Sequence, residues 1–396
     1  MAARVALSLT PSRRALVASA LGAGISYSNL AVALPLLVLS EHGSSFLVGA
    51  LLAAETVAFS LGALLALGLR RSESGVATGL AAIAAGDLLL IAAPVREALF
   101  AGALVHGIGM GLFWVGVQAS LGRRSGAEGS QRVFVLQYVV YVSGSAVGGA
   151  LTGAAIAVLR SLGVGHVTSI RASFGIGIAS ALLALPSSVS WLRRVEIRPA
   201  VRLRPPPLAG FALQLPDLLL VAAMGLMLNF APVVLTHVFR FTPLAVGVVA
   251  GGIAAAKIFG SVTAGRLAHA AGSKRAVGGM LGCSALAAAV LAAVTHQAWL
   301  YVALTLASTF LAIGVWPVVV DGALARVAPE ERHGLAVVWN VREYVAIAAA
   351  TVLGGYLLDL SDRPTLLLAA AAALLASAAV SALAVLGRPV YVPRTA

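Results

Sequence analysis

The chain has 396 residues, of which 60% are hydrophobic and 10% charged, and its mean hydropathy is +0.99; soluble domains carry roughly 25% charged residues, so a soluble globular protein is excluded. A net charge of +13 would point to nucleic acid in a soluble chain, but the basic residues sit in short turns between apolar runs, where they set topology, and no nucleic-acid partner is expected. The one cysteine, Cys283, rules out an intrachain disulfide, and no metal-ligand spacing is present.

Apolar runs of about 20 residues, enough to cross ~30 Å of hydrocarbon as helix, occur at 15–39, 47–69, 76–94, 98–121, 133–159, 169–192, 216–239, 244–268, 276–295, 298–322, 334–358 and 364–387. The fold class read from them is all-α: a polytopic membrane protein with twelve transmembrane helices. The first run follows Arg13 and Arg14 but exceeds the apolar core of a secretory signal, so it is a retained span. Lys and Arg concentrate in alternate loops, among them Arg70, Arg71, Arg123, Arg124, Arg266, Lys274, Arg275, Arg326 and Arg332; the other loops hold Arg96, Arg160, Arg171, Arg240 and Arg363. By the positive-inside rule both termini are cytoplasmic, in the cytoplasmic (inner) membrane.

The longest polar interval, 193–215, is basic and contains Pro205, Pro206 and Pro207. It reads as a cytoplasmic linker between an N-terminal half, 1–192, and a C-terminal half, 216–396. The halves match as a long-period repeat: Asn29 pairs with Asn229 at an offset of about 200, Glu55 with Lys257 at about 202, and Gln137-Tyr138 with Glu343-Tyr344 at about 206.

With these features the chain resembles the major facilitator superfamily, whose transporters have two six-helix, pseudo-symmetric halves. The family's cytoplasmic loop motif, G-x-L-a-D-r-x-G-r-[KR], is matched by Gly265, Leu267, Ala268, Gly272, Lys274 and Arg275, with His269 where the family has Asp. The stretch 260–275 is expected to be a tight loop, and the imidazole at 269 suggests a pH-dependent inner gate. The fifth run carries Gly144, Gly148, Gly149, Thr152 and Gly153, similar to the glycine motif of the family's antiporters without its proline. The helix 4 arginine of many proton-coupled members is replaced by Ala103, ahead of His106-Gly107.

Ionisable groups inside the bilayer are expensive, roughly 2.5–3.5 kcal/mol each on insertion scales, and mark pathways or partners. Glu55, Asp87 and His106 are therefore candidates for proton coupling, while Lys257, Arg342 and Glu343 are candidates for charge pairs. The resemblance places the second span beside the eleventh, which would let Glu55 meet Arg342. It also places Asn29 and Asn229 along a central cavity, to which Tyr27, Trp114, Gln118, Trp316 and Asn340 could contribute.

The expected function is secondary active transport of a small solute by alternating access, leaning to proton-coupled efflux of an amphiphilic compound. Uptake or facilitated diffusion of a small metabolite is the alternative, and a non-transporting sensor or assembly partner is the alternative of another class. No catalytic residues, metal or cofactor are expected beyond a proton or ion gradient, the chain has no nucleotide-binding loop for ATP, and the partners are a small-molecule substrate and the lipid bilayer, with the monomer as the functional unit.

Overall fold

A computed structural model describes residues 11–69, 72–93, 95–124, 127–192, 209–326, 329–361 and 364–388; within helices, side chains at 11–13, 16, 67–68, 72–73, 118–124, 127–136, 190–192, 209–210, 324 and 329–337 are outside the description. Thirteen helices occur among the described residues: α1 (Pro11–Ser40), α2 (Ser45–Gly68), α3 (Ser72–Ala92), α4 (Arg96–Arg124), α5 (Ala127–Ser161), α6 (His166–Leu192), α7 (Ala209–Asn229), α8 (Ala231–His237), α9 (Pro243–Ala271), α10 (Ser273–Ala293), α11 (Ala298–Leu324), α12 (Pro329–Asp359) and α13 (Thr365–Leu386). They provide 12 candidate membrane spans, α7 and α8 together making the seventh. Helices satisfy their own backbone polar groups, as hydrocarbon requires. The seventh span breaks after Asn229 because Pro232, in the first turn of α8, lacks the N–H a continuous helix would need.

Two expectations are corrected. The linker was expected to reach 215, whereas α7 begins at Ala209; Gln214 and Asp217 accordingly lie inside a helix, both fully buried, and the remainder of the linker, 193–208, falls outside the described residues. The 260–275 stretch is not a loop either. Helix α9 continues through it to Ala271 and α10 starts at Ser273, leaving Gly272 as the whole joint, at φ 85°. A side chain there would strain the backbone, so glycine is required.

The chain divides into two compact units. One comprises Met1–Glu41, Ala54–Val201 and Pro243–Gly251; the other comprises His42–Ala53, Arg202–Thr242 and Gly252–Ala396. In the first, α1 packs on α5 and α6, and α3 packs on α4 and α6. In the second, α7 packs on α12 and α13, and α10 packs on α11 and α13. The same four contacts thus recur in corresponding elements.

Small residues bring helices to backbone contact where lipid offers no hydrophobic drive for association. In the second unit the first turns of α2 rest on α12, with Gly49 against the Thr351 carbonyl and Gly355 against the Ser45 carbonyl. Above this seam the Asp359 carboxylate accepts the backbone N–H groups of Ser45 and Phe46, both at 2.9 Å, and so caps the start of α2. In the first unit the first turns of α9 rest on α5 through Gly247, Gly149 and Gly153.

Candidate functional site

The first unit holds a buried ionisable centre assembled from four helices. His106 on α4 stands between two carboxyls: its Nδ1 is 3.5 Å from Oε1 of Glu55 on α2, and its Nε2 is 4.0 Å from Oδ1 of Asp87 on α3. Ser26 on α1 donates to Asp87 Oδ2 at 2.9 Å and lies 3.4 Å from His106 Nε2. Asp87 and His106 are 0% exposed and Glu55 6%. Room for the cluster comes from Gly177 on α6, where a Cβ would collide with the Asp87 carboxyl.

The contacts on either side of the ring are ion-pair distances, longer than hydrogen bonds, and Glu55 Oε1, His106 Nδ1 and Asp87 Oδ1 have no hydrogen-bond partner. A buried group left so is costly, and each proton gained or lost by this set redistributes charge over three side chains at low dielectric. The carboxyls face opposite nitrogens of one ring, so they share no point at the ~2 Å that metal ligation needs. No His/Cys/Asp/Glu group suited to a metal occurs among the described residues. What the set can do is hold and release protons.

The side-chain partners assign roles that residue type alone left open. Glu55, expected opposite Arg342, has His106 of its own unit as its described ion-pair partner. Asn29 on α1 is fully buried and donates to Thr152 Oγ1 at 2.7 Å and to the Ser173 carbonyl at 3.0 Å; its role within the unit is to join α1, α5 and α6. Asn229 donates to Thr351 Oγ1 at 2.8 Å, and each threonine in turn donates to the carbonyl four residues back, Gly148 or Ile347. This twice-built Asn–Thr bond sets the register of α5 against α12 at an offset of 199. The Gln137/Glu343 offset of about 206 is therefore displaced by nearly two turns.

Beside the ionisable centre, three aromatic side chains converge. Tyr27 on α1 and Tyr141 on α5 have ring centroids 6.0 Å apart, and Trp114 on α4 meets Tyr141 edge-on at 5.2 Å. All three are half-buried, and Tyr27 lies within Coulomb range of Glu55. Tyr141 was not singled out from the sequence, because it sits in an unbroken apolar run. The Gln118 side chain lies outside the described residues.

The second unit has a different polar centre. Asp217 on α7 accepts the Trp339 indole N–H at 2.5 Å, and Gln214 donates to the Trp339 carbonyl at 2.8 Å. Trp316 on α11 also faces Asp217, and Glu343, one turn beyond Trp339, lies within Coulomb range of it. Asp217 escaped the sequence reading because the span was started at 216; an acid inside the run Leu213–Leu220 was the available signal. Arg342 stands 5.4 Å over the Phe211 ring, with Nη1 buried and without a hydrogen bond. Lys257 on α9 is half-buried and has no ion pair among the described residues, and Asn340 is half-buried on α12. The motif residues Gly265, His269, Gly272, Lys274 and Arg275 are all exposed.

No protein-family model and no curated protein matches the chain. Solved structures do match over nearly its whole length. An auto-inhibited POT-family peptide transporter is 12% identical, with a TM-score of 0.73 over 98% of this chain and 99% of its own. A bacterial homologue of the iron transporter ferroportin in an inward-facing state is 15% identical, with a TM-score of 0.70 over 96% and 100%. A bacterial homologue of the human drug peptide transporters is 14% identical, with a TM-score of 0.68 over 95% and 96%. At such identities the likeness is one of fold: twelve spans in the arrangement of major-facilitator-type transporters.

Proposed function

Taking the major facilitator fold as premise, we propose that the chain is a secondary transporter of the cytoplasmic membrane that exports a small amphiphilic compound in exchange for protons, by alternating access. The observation that carries this reading is the Glu55–His106–Asp87 centre, a buried set of three titratable side chains with unpaired atoms facing one another. Such a set is costly to bury without function, and a change in its protonation alters the charge that the surrounding helices must accommodate. It would take the coupling role that the arginine replaced by Ala103 has in other members.

The test uses the full chain in proteoliposomes with Nile red, rhodamine 6G and ethidium as amphiphilic probes. A pH gradient should drive the flux of at least one probe, a protonophore should abolish that flux, and Glu55→Gln should reduce it at least tenfold. Flux that ignores the protonophore and is unchanged in Glu55→Gln and His106→Asn would overturn proton exchange.

A second reading draws on Lys257, a half-buried cation without an ion pair among the described residues, which suits an uptake or facilitated-diffusion carrier for a small anionic metabolite. Counterflow of carboxylates that Lys257→Ala abolishes would favour it. Absence of flux for every probe in both directions would favour the non-transporting alternative.

A further inference from the structure

We propose that Arg342 is a two-position latch inside the second unit: its guanidinium rests on the Phe211 ring while Asp217 is uncharged, and crosses to Asp217 and Gln214 when that carboxyl is ionised. The latch lies in a different unit from the Glu55–His106–Asp87 centre and stands whether or not that centre drives exchange.

Buried polar atoms are left over on both sides of one helix pair. Asp217 and Gln214, one turn apart on α7, are both 0% exposed, and both hold Trp339 of α12: Asp217 Oδ2 accepts its indole N–H, and Gln214 Nε2 donates to its carbonyl. Their second atoms, Asp217 Oδ1 and Gln214 Oε1, have no hydrogen bond. Arg342, one turn beyond Trp339, has a buried Nη1 in the same condition. Each such atom carries the full cost of its lost hydration. Two acceptors and one donor would answer one another, since a planar guanidinium fork suits paired oxygen acceptors.

The helix register brings the three within reach. The bonds Gln214–Trp339 and Asn229–Thr351 run α7 and α12 in the same direction at offsets of 125 and 122, so Arg342 stands level with residues 217–220. Its guanidinium is found toward the N-terminal end instead, 5.4 Å over the Phe211 ring. Phe211 precedes Asp217 by about 9 Å along the axis at 1.5 Å per residue. Helical side chains lean toward their own N-terminus, which accounts for the direction. Return to the level of Asp217 takes a change of rotamer along a long, unbranched side chain.

The charge on Asp217 decides the position. α7 carries no other ionisable residue. Of the helices packed on it, α12 brings Arg342 and Glu343, α11 brings the Trp316 indole with Asp321 exposed beyond it, and α13 has no ionisable residue. Among the described side chains Arg342 is the one cation on these four helices. With Arg342 on Phe211, an ionised Asp217 is a buried charge opposed by Glu343 and met by indole N–H groups alone; with Arg342 beside it, all three unpaired atoms are satisfied. Protonation of Asp217 removes that attraction. The Phe211 ring, 47% exposed, then holds the guanidinium by its face with little loss of hydration.

The experiment is thermal unfolding of the purified full chain in detergent at two pH values, about 4.5 and about 8.5. Arg342→Met, Asp217→Asn and Phe211→Leu are compared with the two double variants that contain Arg342→Met. At the higher pH the Arg342 and Asp217 losses in Tm should be non-additive, the double variant losing at least about a third less than the sum, while the Arg342 and Phe211 losses add. At the lower pH the pattern should reverse. A static packing role for Arg342 gives the same couplings at both pH values; that result would overturn the proposal, as would additive losses throughout. Should Asp217→Asn fail to fold, the Arg342/Phe211 cycle decides alone, and its coupling must fall by at least about half from the lower pH to the higher.

Discussion

The two units share a scaffold and differ in chemistry. Each ties its first helix to its fifth by an asparagine–threonine hydrogen bond, Asn29 to Thr152 in one and Asn229 to Thr351 in the other, and each repeats the same four helix packings. The ionisable residues do not follow the repeat. One unit sets an imidazole between two carboxyls; the other sets a carboxyl against indole N–H groups and stacks its arginine on a phenylalanine. Among the described residues the helix packing recurs while the buried ionisable groups do not, so the residues that break the repeat are where the two units can have separate tasks.

This contrast can be broken most forcefully at His106. His106→Leu leaves Glu55 and Asp87 facing each other across an apolar side chain, and the loss should be large, about 3–5 kcal/mol, as for other buried charges deprived of a partner. A thermal-unfolding series in detergent would show it as a marked drop in Tm, and an added Asp87→Asn should restore part of the stability. If His106→Leu melted with the wild type, the centre would not be electrostatically organised at all.

The shared part of the comparison is sharpened by the asparagines. Asn29→Ala and Asn229→Ala should each cost about 0.6–1.7 kcal/mol, the range of interhelical hydrogen bonds measured inside membranes. Asn29 stands at the upper end, since it is fully buried and makes two bonds. Equal and additive losses in the double variant would mark the bonds as parallel structural members; a selective loss of flux in one variant would give that asparagine a second task. The smallest change is expected at the Asp359 cap of α2. Asp359→Asn should lower stability by about 0.5–1 kcal/mol, and hydrogen exchange should quicken at Ser45 and Phe46 before anywhere else.

Much of the fold was legible because hydrocarbon imposes a length and a polarity that few other environments impose: twelve apolar runs became twelve spans. The partners within it were less so. Glu55 could be recognised as a costly intramembrane acid, but periodicity does not say which helix it faces, and His106 emerged only from the packing of α2 on α4. The match of Gln137-Tyr138 with Glu343-Tyr344 lies about two turns off the register that the Asn–Thr bonds give, because a two-residue likeness recurs by chance in a chain so rich in a few residue types. Asp217 and Tyr141 were missed for opposite reasons, one lying too close to an assumed boundary and the other too far inside an apolar run.

Gly272 joins α9 to α10 through a single residue held at positive φ. A longer linker would behave as slack rope, letting either helix turn without notice to the other. A one-residue joint behaves as a universal coupling: rotation of the C-terminal end of α9 about its own axis has almost no backbone in which to dissipate, and α10 must take up the torque. The basic pair Lys274 and Arg275 immediately beyond it would then be swung at the membrane surface by whatever turns α9.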